Sequence, residues 1–208
     1  MTRYMKPNLH FSFLVVFLLS LAPLGARGQG PDVRGVVLDG VYRNELLGFE
    51  LKTPPGWSEA ANDEFAFAME AGKRDAQIAV TGKTRDVGIL GFMYAQKRAG
   101  LPENSVVGLS VSRQISDRIT ARQVAEALRD GFQRHPDYFV SQDIQSEKIN
   151  GRDFVIVDIG QKSFPKQRIR SYMFSEKEYV VAITMTYWNN YSFGVMLDSL
   201  NSIKFFKK

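Results

Sequence analysis

Apolar residues recur at different spacings along this chain, and each spacing predicts a different element. Val107, Leu109 and Val111 alternate with Gly108, Ser110 and Ser112. That alternation predicts a strand with one face in the core and one in water. Val124, Ala127, Leu128 and Phe132 fall instead on one face of a helix. Thr120 and Gln123 stand ahead of them as a capping-box pair, so the helix is predicted to start there. Gly131 and Pro136 discourage its continuation. Phe193, Met196, Leu197 and Leu200 repeat the helical spacing near the end of the chain. Residues 179–187 show neither period: they are apolar at nearly every position, which predicts a central strand covered on both faces.

Weaker signals fill in the rest. Tyr42 and then Phe49 and Leu51 mark two short strands around a turn over residues 44–48, after a Gly-rich lead-in at 29–40. Pro54, Pro55 and Gly56 end the second strand, because Pro removes a ladder donor. Residues 58–72 read either way. Phe65 and Met69 fit a helix, whereas Phe65, Phe67 and Met69 also alternate; the abundance of Ala and Glu favours the helix. Residues 88–94 form a short apolar run suited to a buried strand. Asn150-Gly151 is a two-residue hairpin signal, joining strands at 141–149 and 154–159. A strand at 169–174, a polar turn at 175–178 and a last short strand at Ile203 and Phe205 complete the series. Hairpin-linked strands with helices inserted imply an α+β fold: an α/β/α sandwich with a central, mostly antiparallel sheet.

One stretch belongs to no fold. Arg3, Lys6 and His10 precede fourteen mostly apolar residues at 11–24, and small residues follow up to Ala26 and Gly28. That order is a secretory signal peptide, cut after Gly28 or after Ala26. The apolar block falls short of the roughly 20 residues that span a bilayer, so a retained anchor is the weaker reading. The expected organisation is therefore a signal peptide at 1–28, the lead-in at 29–40 and one domain at 41–208, secreted or periplasmic.

The leader also changes the charge. It holds three of the 27 basic residues and none of the 22 acidic ones, so the exported part is close to balanced. A nucleic-acid reading wants a concentrated basic face, which this balance does not supply. There is no Cys, so thiolate metal sites are excluded, and the only histidine beyond the leader is His135. No cofactor is expected, and no membrane-spanning segment once the leader is removed.

Tyr42-x-Asn44, Gly48-Phe49-x-Leu51, Pro54-x-Gly56-Trp57 and the closing helix-plus-strand together resemble a known group. They are similar to the α/β/α sandwich of the extrinsic P protein of photosystem II (PsbP), the Mog-type Ran-binding proteins and small secreted bacterial relatives. The resemblance implies a fold over roughly residues 41–206 and a binding or accessory role. It carries over no catalytic residue.

Candidate chemistry is sparse. His135 stands alone at a helix end, where a histidine serves the helix terminus. Asp153 and Asp158 are five apart on one strand and so face opposite sides. No phosphate-cradling glycine motif occurs. Lys162, Lys166, Arg168 and Arg170 form the densest basic stretch, with Arg168 and Arg170 on one strand face. They suit an anionic envelope component (lipid headgroups or cell-wall polymer) or an acidic protein; a solvated strand face that discourages edge pairing is the plain alternative. Trp57, Tyr187, Trp188 and Tyr191 offer aromatic recognition or core packing. The expected function is a non-enzymatic binding or accessory module of unknown partner, with Lys166, Arg168, Arg170, Trp57 and Trp188 as candidate contacts. The alternative is a hydrolase whose carboxylates meet only in three dimensions.

Overall fold

A computed structural model describes residues 35–59, 89–95, 104–113 and 120–206. The signal peptide expected at 1–28 and the helix expected within 58–72 lie outside the described residues, apart from residues 58 and 59. The chain opens with β1 (Val36–Leu38), β2 (Val41–Asn44), β3 (Phe49–Lys52) and β4 (Ser58–Glu59). β5 (Ile89–Ala95) and β6 (Val106–Arg113) come next, then α1 (Ala121–Gln133) and β7 (Tyr138–Val140). β8 (Gln145–Ile149), β9 (Arg152–Gln161), β10 (Arg168–Glu176) and β11 (Tyr179–Tyr187) form the run of strands, and α2 (Asn190–Asn201) and β12 (Lys204–Phe205) close the fold.

The strands make two sheets. The larger has the order β4-β5-β6-β11-β10-β9-β7, with β8 also paired to β9, and the smaller has the order β1-β2-β3-β12. The pairings in both are antiparallel. The apolar run at 179–187 is the central strand, as its composition demands: β11 is buried from Tyr179 through Thr186.

Alternation along β11 assigns the layers. Val180 and Ala182 pack with Ala125, Leu128 and Phe132 of α1. Val181, Ile183 and Met185 pack with Met196 and Leu200 of α2 and with Tyr42, Phe49 and Leu51 of the smaller sheet. Helices thus cover both faces of the larger sheet, giving the α+β, three-layer arrangement. Each fully buried Val, Ile or Leu in these layers stabilises the fold by about 1.5–3 kcal/mol relative to exposure.

Local chemistry explains the turns. Asn44 is buried; its Oδ1 accepts from the Leu47 backbone N–H at 2.9 Å and its Nδ2 donates to the Tyr42 hydroxyl at 2.9 Å. The Tyr-x-Asn pattern therefore builds the β2–β3 turn from inside. Asn150 and Gly151 take φ of 46° and 84°, as a type I′ hairpin requires. The Asn150 side chain also donates to the backbone oxygens of Asn201 and Ile203, tying the β8–β9 turn to the end of α2.

Four expectations need correction. The lead-in contains β1, turned back onto β2 by Asp39 and Gly40 at φ of 50° and 72°. β6 is covered on both faces where described: Gly108 and Ser110 are as buried as Val107 and Leu109. On α1 the inward face uses Ala125, and Ala127 is exposed. The strand expected at 141–149 begins only at Gln145, and β7 pairs with the far end of β9 instead. The smaller sheet was not foreseen, since short strands distant in sequence leave no local sign of their pairing.

Candidate functional site

The basic stretch lies at the turn between β9 and β10, and Asp137 holds that turn in place. Its carboxylate accepts from Gln161 Nε2 at 2.7 Å, from the Ser163 backbone N–H at 3.0 Å and from Ser163 Oγ at 2.6 Å. The Lys162 backbone N–H donates to the Asp137 carbonyl at 2.7 Å. Partial burial alone would raise the Asp137 pKa, but the hydrogen bonds from Ser163 and Gln161 outweigh it and hold the group below the usual carboxylate range. His135 serves the same corner: its Nδ1 accepts from the Asp137 backbone N–H at 3.3 Å and its ring meets Tyr138 edge-on.

Register then sets out the surface. Phe139, Gly160, Arg168 and Tyr187 are successive partners across β7, β9, β10 and β11. The Phe139 ring lies over Gly160 so closely that a Cβ there would fall 2.0 Å from it. The Arg168 guanidinium sits 5.9 Å from the centre of that ring. It donates to the carbonyls of Pro165 and Gln167 at 2.5 and 2.9 Å, and stays exposed.

One row further along, Arg170 faces Asp158, and both carboxylate oxygens accept from it at 2.6 and 2.7 Å. Hydrogen bonding to Asp158 raises the Arg170 pKa above its ordinary value against the opposing effect of burial. The Phe193 ring lies 5.5 Å from the guanidinium, and Tyr187 stacks on Phe193 with centroids 4.5 Å apart. Burial pushes the Tyr172 and Tyr187 hydroxyls up in pKa. Arg170 is thus a structural cation, neutralised within the sheet.

Of the five residues singled out from sequence, four meet at this end of the molecule. Lys166 is exposed on the β9–β10 turn, Arg168 follows it, and Arg170 lies beneath. Trp188 supports the turn: its Nε1 donates to the Asn104 carbonyl at 3.2 Å, and its ring meets Phe164 edge-on at 6.0 Å. Trp57 is elsewhere. It packs against the core ahead of β4, at the opposite edge of the larger sheet from β7. Sequence reading missed Phe139 and Gly160, whose only signal is strand parity once β7 is known to pair with β9. It had placed Asp158 on the strand without its partner.

The opposite face near the same end mixes buried, uncharged polar side chains with the apolar Ile159 and Ile169. Ser110, Ser171, Thr184, Thr186, Gln161 and Gln167 are buried, and the Ser171 and Thr184 hydroxyls lie 3.0 Å apart. Among the described residues Gln167 finds no hydrogen-bond partner for either amide atom, and Gln161 none for its Oε1. Among the described residues no Asp, Glu, His, Lys or Arg is fully buried, and no cluster of three or more His, Asp or Glu is placed to hold a metal. The described arrangement can attract anions and cover apolar surface.

No protein-family model matches the sequence, and no curated protein matches it. The chain is similar in structure to PsbP. The solution structure of cyanobacterial PsbP (CyanoP) from Synechocystis sp. PCC 6803 aligns with a TM-score of 0.46 and 12% identity, over 89% of this chain and 100% of that one. LpqN, involved in cell envelope biogenesis of Mycobacterium tuberculosis, aligns with a TM-score of 0.43 and 12% identity, over 74% of this chain and 78% of that one. No helix among the described residues is long and apolar enough to cross a membrane.

Proposed function

We propose that this chain is a secreted or periplasmic, non-enzymatic binding module that engages an anionic partner through the surface around Arg168. The leader supplies the compartment. The observation that carries the binding reading is the row Phe139–Gly160–Arg168, in which an exposed cation and a half-exposed ring lie side by side. Among the described residues Arg168 spends its hydrogen bonds on backbone carbonyls, which leave its charge uncancelled. Lys166 adds a second exposed cation on the adjoining turn.

The test is retention of envelope components on the immobilised exported protein, in parallel with Arg168→Glu/Lys166→Glu. These two are the appropriate charges to reverse, since reversing Arg170 would strand Asp158. The wild type is expected to retain an anionic component that moderate salt releases, and the double variant to lose at least tenfold of it. Equal retention by the variant would refute the reading.

A further inference from the structure

Resting on that reading, we infer that the anionic partner is a bilayer surface, met by the β9–β10 end of the larger sheet. Among the described residues three cations stand there: Lys162, Lys166 and Arg168, all exposed. The described carboxylates nearby are committed elsewhere. Asp158 is neutralised by Arg170, and Asp137 keeps its charge but turns both oxygens inward to Gln161 and Ser163, so it offsets one of the three cations. Among the described residues Lys162 reaches only a carbonyl, that of Pro136, at 2.6 Å. The charge presented outward is therefore positive.

Aromatic side chains are interleaved with these cations. Phe139 is 47% exposed beside Arg168, and Tyr191 is 75% exposed on the first turn of α2. Tyr187, Trp188, Phe193 and Phe164 lie half-buried between them. Aromatic rings favour the headgroup level of a bilayer, where one edge is dry and the other wet. Long cationic side chains reach past them to lipid phosphates. A protein partner would make different demands. Lysine is depleted at protein interfaces, yet two of the three cations here are lysines. A membrane surface accepts them without a fixed geometry, so charge complementarity favours the leaflet.

The experiment uses the exported protein, its amino terminus read by mass spectrometry so that a retained leader does not mimic docking. Vesicles of phosphatidylglycerol with phosphatidylcholine are compared with vesicles of phosphatidylcholine alone in a flotation assay. Binding is expected only to the anionic vesicles and is expected to fall with salt. Each cation removed should weaken partitioning about fivefold, so Lys166→Gln/Arg168→Gln should lose about 25-fold. Tyr191→Ala, at an exposed position that leaves the fold intact, should lose severalfold. Circular dichroism melting confirms that each variant is folded. Binding to neutral vesicles as strong as to anionic ones would overturn the inference, as would variants that bind like the wild type. Failure to float with anionic vesicles, while an acidic protein or polymer is still captured and lost on Arg168→Glu/Lys166→Glu, overturns the bilayer alone. Capture indifferent to those charges overturns the underlying reading as well.

Discussion

Gly160 shows how a residue without a side chain can shape a surface. The ring tip of its neighbour across the sheet, Phe139, lies over it, and Arg168 lies beside that ring. Gly160→Ala forces the ring outward. Because Phe139 is already half in water, the cost should be small, about 1 kcal/mol in urea unfolding, at the low end of overpacking penalties. Retention of the anionic partner should fall severalfold in the same variant. A large stability loss with unchanged retention would show that the glycine serves packing only. Residue identity alone does not reveal this role, because Gly160 reads in the sequence as an ordinary strand glycine. Arg168 and Arg170 make the same point from the other side. Two apart in sequence, they share a face, yet one is neutralised by Asp158 and the other is not. The sequence shows the shared face; only cross-strand register shows which cation has a carboxylate opposite.

Among elements, those written in contiguous residues were legible and those made by pairing were not. The capping box at Thr120 and Gln123 is formed as read: the Gln123 backbone N–H donates to Thr120 Oγ1 at 3.3 Å, and the Thr120 N–H donates to Gln123 Oε1 at 2.9 Å. Thr120→Ala should therefore destabilise the protein by about 1 kcal/mol, measured as a shift in the urea midpoint at constant slope. Thr120→Ser should restore most of it. The apolar run of β11 and the Asn150-Gly151 turn were legible for the same local reason. β1 was not, although Asp39-Gly40 is itself a hairpin dipeptide, because three residues carry too little alternation to mark a strand. β6 misled in another way. Its glycine and serines imitate a solvated face, whereas Gly108 and Ser110 are small residues under cover. Small size and polarity look alike in a one-dimensional pattern.

At the scale of the whole molecule, one carboxylate joins the helix layer to the far turn of the sheet. Asp137 lies just past α1, and its acceptors take hydrogens from the β9–β10 turn. Its pKa is lowered in the folded state, so the unfolded chain binds the extra proton first as pH falls. The stabilisation is complete above the ordinary carboxylate pKa, about 3.9, and is lost as pH drops toward the lower folded value. Asp137→Asn should flatten this part of the acid-unfolding curve relative to wild type, while leaving the neutral-to-alkaline limb parallel. Coincident curves in acid would show that the carboxylate contributes nothing to acid stability. The smaller sheet has its own consequence for how the chain comes together. β12 pairs with β3 through Lys204–Glu50 and Phe205–Phe49, and the Phe206 backbone N–H donates to the Gly48 carbonyl. The first strands made must therefore wait for residues synthesised more than 150 positions later before their outer edge is filled. Until then Phe49 lacks the Phe205 ring that lies 6.3 Å from it in the finished fold. Until then the outer edge of β3 is an open template for stray strand pairing, and the two-residue β12 replaces it with an edge too short to recruit another strand.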